Sequence, residues 1–133
     1  MPPKNLGLDS LRGAIMLPDI TPDQLYACYE FMRIMPPFSS YKMPAANEIE
    51  FQIVNDHRLH GWHKRTENSG HVLAISRNCI GHTSSLLFYV AHEMIHLLQT
   101  ERGTHTRSAH NAEFRKIAEK VCDIHGFDFR TFV

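Results

Sequence analysis

The sequence predicts an α+β fold, with one helix before a small three-stranded antiparallel sheet and two long helices after it. Three observations support this fold class: helix punctuation around residues 21–37, a strand-like alternation over residues 48–54, and helical spacing of apolar residues over 83–102. The 133 residues fit a single domain spanning residues 1–133, because one core typically serves ~100–150 residues. A second functional module is not expected.

The first helix has a start and a stop signal in the stretch "TPDQLYACYEFMRIMPP". Thr21 is suited to the N-cap, Pro22 to the first helical position, and Gln24 completes a capping box with Thr21. The pair Pro36–Pro37 ends the helix, because proline lacks the backbone N–H that a helix interior needs. The expected buried stripe consists of Leu25, Tyr29 and Met32.

Three strand candidates follow the first helix. The stretch "EIEFQIVN" alternates Ile49, Phe51 and Ile53 with polar residues, which is the period of a half-buried strand. "RLHGWHKR" is a weaker strand candidate, "TENSG" predicts a turn, and "HVLAIS" predicts a third strand. Because the three segments follow one another through short connections, we expect an antiparallel meander.

Two helices complete the predicted fold. "HTSSLLFYVAHEMIHLLQTERG" predicts a largely buried central helix, with Thr83 or Ser84 as its cap and Gly103 as its end. After the polar loop "THTRSA", a last helix is expected from about residue 111 to residue 125, ending at Gly126. The expected apolar faces consist of Leu87, Val90, Ala91, Met94, Ile95 and Leu98 in the central helix and of Phe114, Ile117, Ala118 and Val121 in the last one.

Charge and hydropathy exclude several classes of protein. The 14 basic and 14 acidic residues cancel, so no overall field attracts nucleic acid or an anionic surface. No apolar run approaches the ~18 residues of a membrane span. The start, "MPPKNLGLDSLRGAIML", lacks the basic segment and continuous apolar core of a secretory signal. We therefore expect a cytoplasmic protein with no membrane partner.

The cysteines predict neither a disulfide framework nor a zinc ribbon. Cys28, Cys79 and Cys122 are odd in number, far apart and in no CxxC pair. We expect buried thiols, which is the usual state of free cysteine.

The stretch "HEMIH" at residues 92–96 predicts a zinc site. Residues four apart lie on one face of a helix, so the imidazoles of His92 and His96 can bind one ion at ~2.0–2.1 Å each. Glu93 is placed to take a proton from a water at the fourth position of the metal. The pattern therefore indicates a zinc hydrolase with Glu93 as general base. The alternative is an amphipathic helix whose two histidines bind no metal.

A catalytic zinc site usually has three protein ligands, so a third must be found. The metzincin pattern requires Gly and His where this sequence has Gln99 and Arg102, which excludes that class. His110 opens the last helix, which can fold back towards the metal, while Glu113 lies one turn further on and offers a carboxylate. We favour His110 over Glu113, and expect the other to hydrogen-bond a ligand imidazole. The remaining alternatives are His105, His82 or a site without a third ligand.

These motifs resemble a known family. HExxH, a short loop and a helix that opens with H-x-x-E-F are similar to the SprT-like zinc metallopeptidases, which include the Spartan-type proteases acting on DNA–protein crosslinks. The resemblance implies a zincin-like fold in which His92, His96 and His110 bind zinc and Glu93 is the catalytic base. Asn111 stands where the family usually has glycine. We expect a minimal catalytic domain, without the family's C-terminal zinc ribbon and recruiting tail.

Two further segments have alternative interpretations. "HRLHGWHKR" brings Arg58, Lys64 and Arg65 together with Trp62, which suits single-stranded nucleic acid. We favour the alternative, a solvated hairpin whose tryptophan packs on the core, because the whole chain is neutral. The strand at 48–54 is either the sheet edge that faces the zinc and pairs with an extended peptide, or a solvated acidic surface.

The function that the sequence predicts is a zinc-dependent endopeptidase that uses Zn²⁺, with a protein or peptide as substrate. The alternative is a zinc-stabilised binding or adaptor domain, with single-stranded nucleic acid as a candidate partner and no useful turnover. A zinc hydrolase of non-peptide amides is the third hypothesis. Glu93 separates the first two, because a binding module needs the histidines but not a base beside them.

Overall fold

A computed structural model describes residues 19–79 and 82–133, and it is α+β as predicted. The predicted first helix, three strands and two long helices are all present, and a short fourth helix follows them. The elements are α1 Pro22–Ile34, β1 Ile49–Val54, β2 Gly61–Arg65, β3 His71–Ser76, α2 Thr83–Arg102, α3 Ala112–His125 and α4 Phe129–Phe132.

Helix α1 forms for the reasons that its sequence suggests. The Thr21 hydroxyl accepts from the Gln24 backbone N–H at 3.3 Å, and the Gln24 side chain accepts from the Thr21 N–H at 3.1 Å, which completes the capping box. The predicted stripe of Leu25, Tyr29 and Met32 is buried. Tyr29 also donates its hydroxyl proton to the Pro44 carbonyl at 2.6 Å, because a buried phenol needs a hydrogen-bond partner. This helix therefore packs as the sequence predicts.

The sheet is mixed, so the predicted antiparallel meander is wrong. Its strand order is β1-β3-β2, with β1 parallel to β3 and β2 antiparallel to β3. The reason lies in burial: all six residues of β3 are buried, whereas β1 and β2 each carry exposed or half-buried residues. The most apolar strand takes the centre, where both faces are covered, and the two partly polar strands take the edges.

Helix α2 is the central helix of the core. It begins at Thr83 with His82 as its N-cap, so the expected cap at Thr83 or Ser84 is wrong, because both residues already lie in the first helical turn. Gly103 ends the helix with φ 71°, a left-handed conformation that glycine adopts without steric cost. Of the predicted apolar face, Leu87 alone is only half-buried.

Helix α3 follows the predicted boundaries closely. Asn111 is its N-cap and accepts from the Phe114 N–H at 3.0 Å, and Gly126 ends it with φ 77°. The predicted apolar face of this helix is buried, and Phe114 and Val121 are fully so. Helix α3 packs against α2, which is the contact that brings the two motif segments together.

The remaining sequence expectations have mixed outcomes. Cys122 is a buried free thiol as expected, whereas Cys28 is only half-buried, and the side chain of Cys79 lies outside the described residues. The N-terminal stretch "MPPKNLGLDSLRGAIML" also lies outside them. Within the described ranges, no helix combines the length and the apolar character needed to cross a membrane.

Candidate metal centre

The structure brings together the three histidines that the sequence singled out. His92 and His96 lie one turn apart on α2, and His110 directly precedes Asn111, the N-cap of α3. One ring nitrogen from each histidine lies within 4.8 Å of the other two. His110 belongs to the loop before α3 and not to its first turn, and the packing of α3 on α2 carries it to the other two rings.

The orientation of His92 leaves one nitrogen for a metal. Its Nδ1–H donates to the Phe132 carbonyl at 2.6 Å, so the neutral ring carries its lone pair on Nε2. That Nε2 lies 3.3 Å from Nε2 of His96. Two nitrogens that bind one zinc tetrahedrally at ~2.0–2.1 Å are ~3.3–3.4 Å apart, so this pair fits the ion.

The ring of Phe114 packs against all three histidine rings. Its ring stacks on His96 with centroids 4.6 Å apart and on His110 with centroids 4.5 Å apart, and it meets His92 edge-on at 5.1 Å. Sequence reasoning placed Phe114 in the core but missed this role. The signal was present in H-x-x-E-F, because its position four residues after His110 puts the phenyl ring one turn away.

The electrostatic environment keeps the three imidazoles neutral. Burial lowers the pKa of His92 to about 4, although the hydrogen bond to Phe132 partly offsets this. Burial, followed by the neighbouring His92 and His110, lowers the pKa of His96 to about 3. Burial also lowers the pKa of His110, with Arg115 contributing less. Neutral imidazole is the form that binds a metal, so this donor set suits zinc at neutral pH.

Glu93 lies beside the histidine cluster and lines the cavity that also contains the three histidines. It is 5% exposed, and burial raises its pKa to about 8. A divalent cation at the three histidines favours the carboxylate form, because opposite charges a few ångströms apart attract. The position next to His92 therefore suits a base that acts on a molecule in the cavity.

Glu113, the competing ligand, is engaged elsewhere. Its carboxylate accepts from Gln99 at 2.9 Å, from Arg102 at 3.2 Å and from the Thr104 hydroxyl. The Thr104 and Gln99 hydrogen bonds, in that order, lower the pKa of Glu113 despite some burial. Both carboxylate oxygens thus accept hydrogen bonds that link α3 to α2 and to the loop between them, and we call this set of contacts the Glu113 clamp. The expected hydrogen bond from Glu113 to a ligand imidazole is not among its contacts in the described residues.

The other histidine candidates lie outside the cluster. His105 is exposed in the loop between α2 and α3, although it lines the same cavity. His82 is the N-cap of α2. Ten residues of helix separate it from His92, which corresponds to roughly 15 Å along the axis. Within the described residues, only the set of His92, His96 and His110 converges closely enough to hold a metal ion.

The cavity next to the histidines is bordered by an edge strand, but not by the one considered from the sequence. Strand β2 contributes Gly61, Trp62 and His63 to a cavity of about 640 Å³ that also contains the histidine cluster. Strand β1 is an edge as well, yet it lies on the far side of β3 and does not line this cavity. The interpretation of residues 48–54 as the edge that faces the metal is therefore wrong.

The four residues considered for nucleic-acid binding do not form one surface. Trp62 and Lys64 share one face of β2, and the Lys64 ammonium lies 5.2 Å from the centroid of the Trp62 ring. Arg65 lies on the opposite face, where it donates to the Thr100 carbonyl at 3.3 Å and pairs with Glu101 at 3.5 Å. Arg58 is exposed in the loop before β2. Because Arg58 lines the same cavity as Trp62, Arg65 is the residue that is separated from the predicted patch.

Comparison with known proteins adds no family. No protein-family model matches this chain, and no curated protein matches it significantly.

Proposed function

We propose that this protein is a zinc-dependent endopeptidase with a zincin-like, SprT-like arrangement of its site. The observation that carries the proposal is the convergence of His92, His96 and His110 next to Glu93, in a cavity open to a sheet edge. Three neutral imidazoles are one ligand set of catalytic zinc sites, and an uncoordinated carboxylate beside them can act as the base. The resemblance of the motifs to SprT-like metallopeptidases supports the same proposal.

The chain's own residues divide the chemistry between them. When bound, zinc supplies a Lewis acid that polarises the scissile carbonyl. His92 is held in position by its hydrogen bond to Phe132, and Phe114 fixes the planes of the other two rings. Glu93 takes a proton from the attacking water and gives it to the leaving amine nitrogen as the peptide C–N bond breaks.

The edge strand suits a peptide substrate. Strand β2 pairs with β3 on one side, and among the described residues no strand pairs with its other side. An extended peptide can hydrogen-bond to such an edge while its carbonyl enters the cavity. Phe88, Tyr89 and Phe132 form an apolar wall of the cavity that can accept a substrate side chain.

A zinc-stabilised binding domain is the second candidate. The stacked arrangement of Lys64 over Trp62 favours it, because a cation beside an aromatic plane is how single-stranded nucleic acid is commonly held. Trp62 also lines the cavity, so a nucleic acid there would lie next to the histidines. This candidate requires the zinc ligands but gives Glu93 no chemical role.

Mass-spectrometric detection of new peptide termini tests the proposal. We expect the zinc-loaded chain to cleave a mixture of peptides and denatured proteins, and Glu93→Gln to reduce cleavage by ~10²-fold or more while zinc stays bound. Glu119→Gln is the matched control, because Glu119 is exposed on α3 and should leave cleavage unchanged. Single-stranded DNA is added in a parallel series.

Two outcomes would contradict the peptidase. Cleavage that survives Glu93→Gln would mean that the activity does not arise at this site. No cleavage by a chain shown to hold one zinc would favour the binding domain, and a shift of Trp62 fluorescence on adding single-stranded DNA would support that alternative.

A further inference from the structure

A hydrogen-bonded chain of three side chains leads away from the cavity. Nε2 of His63 lies 2.8 Å from Nδ1 of His71, and Nε2 of His71 lies 2.6 Å from a carboxylate oxygen of Glu101. No local pattern predicts this contact, because the three residues lie on β2, on β3 and in the last turn of α2. None of the three lies in the HEMIH motif, and none is the candidate third ligand.

Sheet register explains why the chain forms. His63 is opposite Leu73 and Arg65 is opposite His71, so His63 and His71 are diagonal neighbours on one face of the sheet. That face meets α2, which brings Glu101 to His71. His71 is only 3% exposed, so its ring is fixed between the other two side chains.

The direction of the hydrogen bonds follows from the carboxylate. Glu101 can only accept, so His71 donates from Nε2, and a His71 ring that carries its proton there alone accepts at Nδ1. His63 must therefore donate its Nε2–H to His71. This leaves the unprotonated nitrogen of His63 at Nδ1, outside the chain of hydrogen bonds.

His63 connects this chain to the metal centre. It lines the same cavity as His96 and Glu93. Burial lowers the pKa of His63 to about 4, with smaller contributions from the neighbouring His71, Arg65 and His105. His63 is thus neutral at rest and faces the cavity beside the residues of the proposed site.

We propose that His63 is a second proton-transfer residue of the peptidase, with His71 and Glu101 as positioning residues; this inference rests on the proposed function. Hydrolysis to a carboxylate and an ammonium group moves both protons of the water to the amine nitrogen, and Glu93 carries one at a time. His63 takes the second.

The proton transfer balances along the three residues. Nδ1 of His63 accepts the proton of the hydroxyl group added to the carbonyl carbon, while the Nε2 proton of His63 moves to Nδ1 of His71. The positive charge then rests on His71, next to the negative charge of Glu101. The C–N electron pair leaves with the amine nitrogen, and the reverse transfer returns the proton to that nitrogen.

Imidazole ¹⁵N NMR of the zinc-loaded full chain tests the arrangement without using activity. We expect His63 and His71 both to carry their proton on Nε2 at neutral pH, with an unprotonated Nδ1. A His63 ring protonated on Nδ1 would reverse the direction of the chain and overturn the proposal.

Steady-state cleavage by variants tests the catalytic role. We expect His63→Gln to lower kcat by ~10²-fold with little change in KM, because glutamine keeps a hydrogen-bond donor but cannot exchange a proton. Glu101→Gln should lower kcat by roughly tenfold, since it removes the charge that stabilises protonated His71. Zinc content should remain one per chain in both variants. His57→Gln is the matched control, because His57 is exposed in the loop before β2.

The outcomes separate the two proposals. If the wild-type chain cleaves in a Glu93-dependent manner and His63→Gln cleaves equally fast, only the proton relay is wrong. If His63→Gln raises KM alone, His63 binds substrate and the relay is again overturned. If the wild-type chain cleaves nothing, the peptidase is wrong and the catalytic role of His63 falls with it.

Discussion

His110 lies in the loop directly before α3 and Glu113 in the first turn of α3, and both carry side chains of types that bind zinc. The structure gives them different partners. His110 meets His92 and His96 through ring contacts, with centroids 4.9 and 5.2 Å apart. Glu113 instead accepts hydrogen bonds from Gln99 and Arg102 of α2 and from Thr104 of the loop. Spacing in the sequence cannot separate the two residues, because only the position of α2 decides which side chain faces the other histidines.

The two clusters also hold the helices together in different ways. The Glu113 clamp is satisfied by the chain's own donors, and Gln99 extends it by donating to Asn111, the N-cap of α3, at 2.8 Å. The histidine cluster offers lone pairs and becomes a strong connection only when a cation is bound. We therefore expect the Glu113 clamp to hold the two helices together with or without metal, and the histidines to hold them together only when a metal ion is bound.

The largest expected effect concerns zinc binding. His110→Ala should weaken zinc binding by on the order of 10²-fold or more, because it removes one of three ligands, and peptide cleavage should be lost with it. Glu113→Gln should change zinc affinity only a few-fold. Competition with a chromophoric chelator measures the zinc affinity of both variants. The reverse ranking would show that the carboxylate of Glu113, and not His110, is the third ligand.

Several features of this arrangement could be predicted from local sequence. The capping box of Thr21 and Gln24 and the stops at Gly103 and Gly126 each depend on a few neighbouring residues, and all three are present. The convergence of His92 and His96 likewise requires only that HEMIH be helical. Local rules therefore predicted most helix boundaries and two members of the candidate site.

Other features depend on contacts between distant segments, which a single sequence does not encode locally. The pairing of β1 with β3 arises because the more apolar β3 takes the centre of the sheet. The available signal was the apolar run in "HVLAIS", from which only a third strand was predicted. The contact of His63 with His71 follows from the register of β2 on β3, which no local pattern sets. The hydrogen bond from His92 to Phe132 depends on the short helix α4, which no pattern had predicted.

Metal removal should show how much the histidine cluster contributes to stability, because the Glu113 clamp does not depend on metal. A chelator should lower the Tm by roughly 10 °C, because zinc at ~100 times its Kd contributes ~2.7 kcal/mol to the folded state. Differential scanning fluorimetry with and without added zinc measures the change. The His110→Ala variant provides the control, since its Tm should respond far less to chelation. An unchanged wild-type Tm would contradict any coupling of metal binding to the packing of α3 on α2.

The smallest expected effect concerns the clamp itself. Glu113→Gln should lower the free energy of unfolding by about 1 kcal/mol at pH 7, because the neutral amide accepts weaker hydrogen bonds than the carboxylate and the site is partly exposed. Urea titrations of metal-free protein measure the difference, with Glu119→Gln as the exposed control.

The difference in the free energy of unfolding between wild type and Glu113→Gln should depend on pH, and this dependence identifies its cause. Hydrogen bonds from Thr104 and Gln99 lower the pKa of Glu113 below its usual value of 4.5, so the carboxylate stabilises the fold above that pH. As pH falls through the lowered pKa, the folded protein takes up the proton and the contribution is lost. The gap between wild type and Glu113→Gln should therefore be constant from pH 7 to about 5 and narrow below 4.5. A gap that does not narrow in acid would mean that Glu113 stabilises the helices through its shape and packing, and that its charge contributes nothing to the clamp.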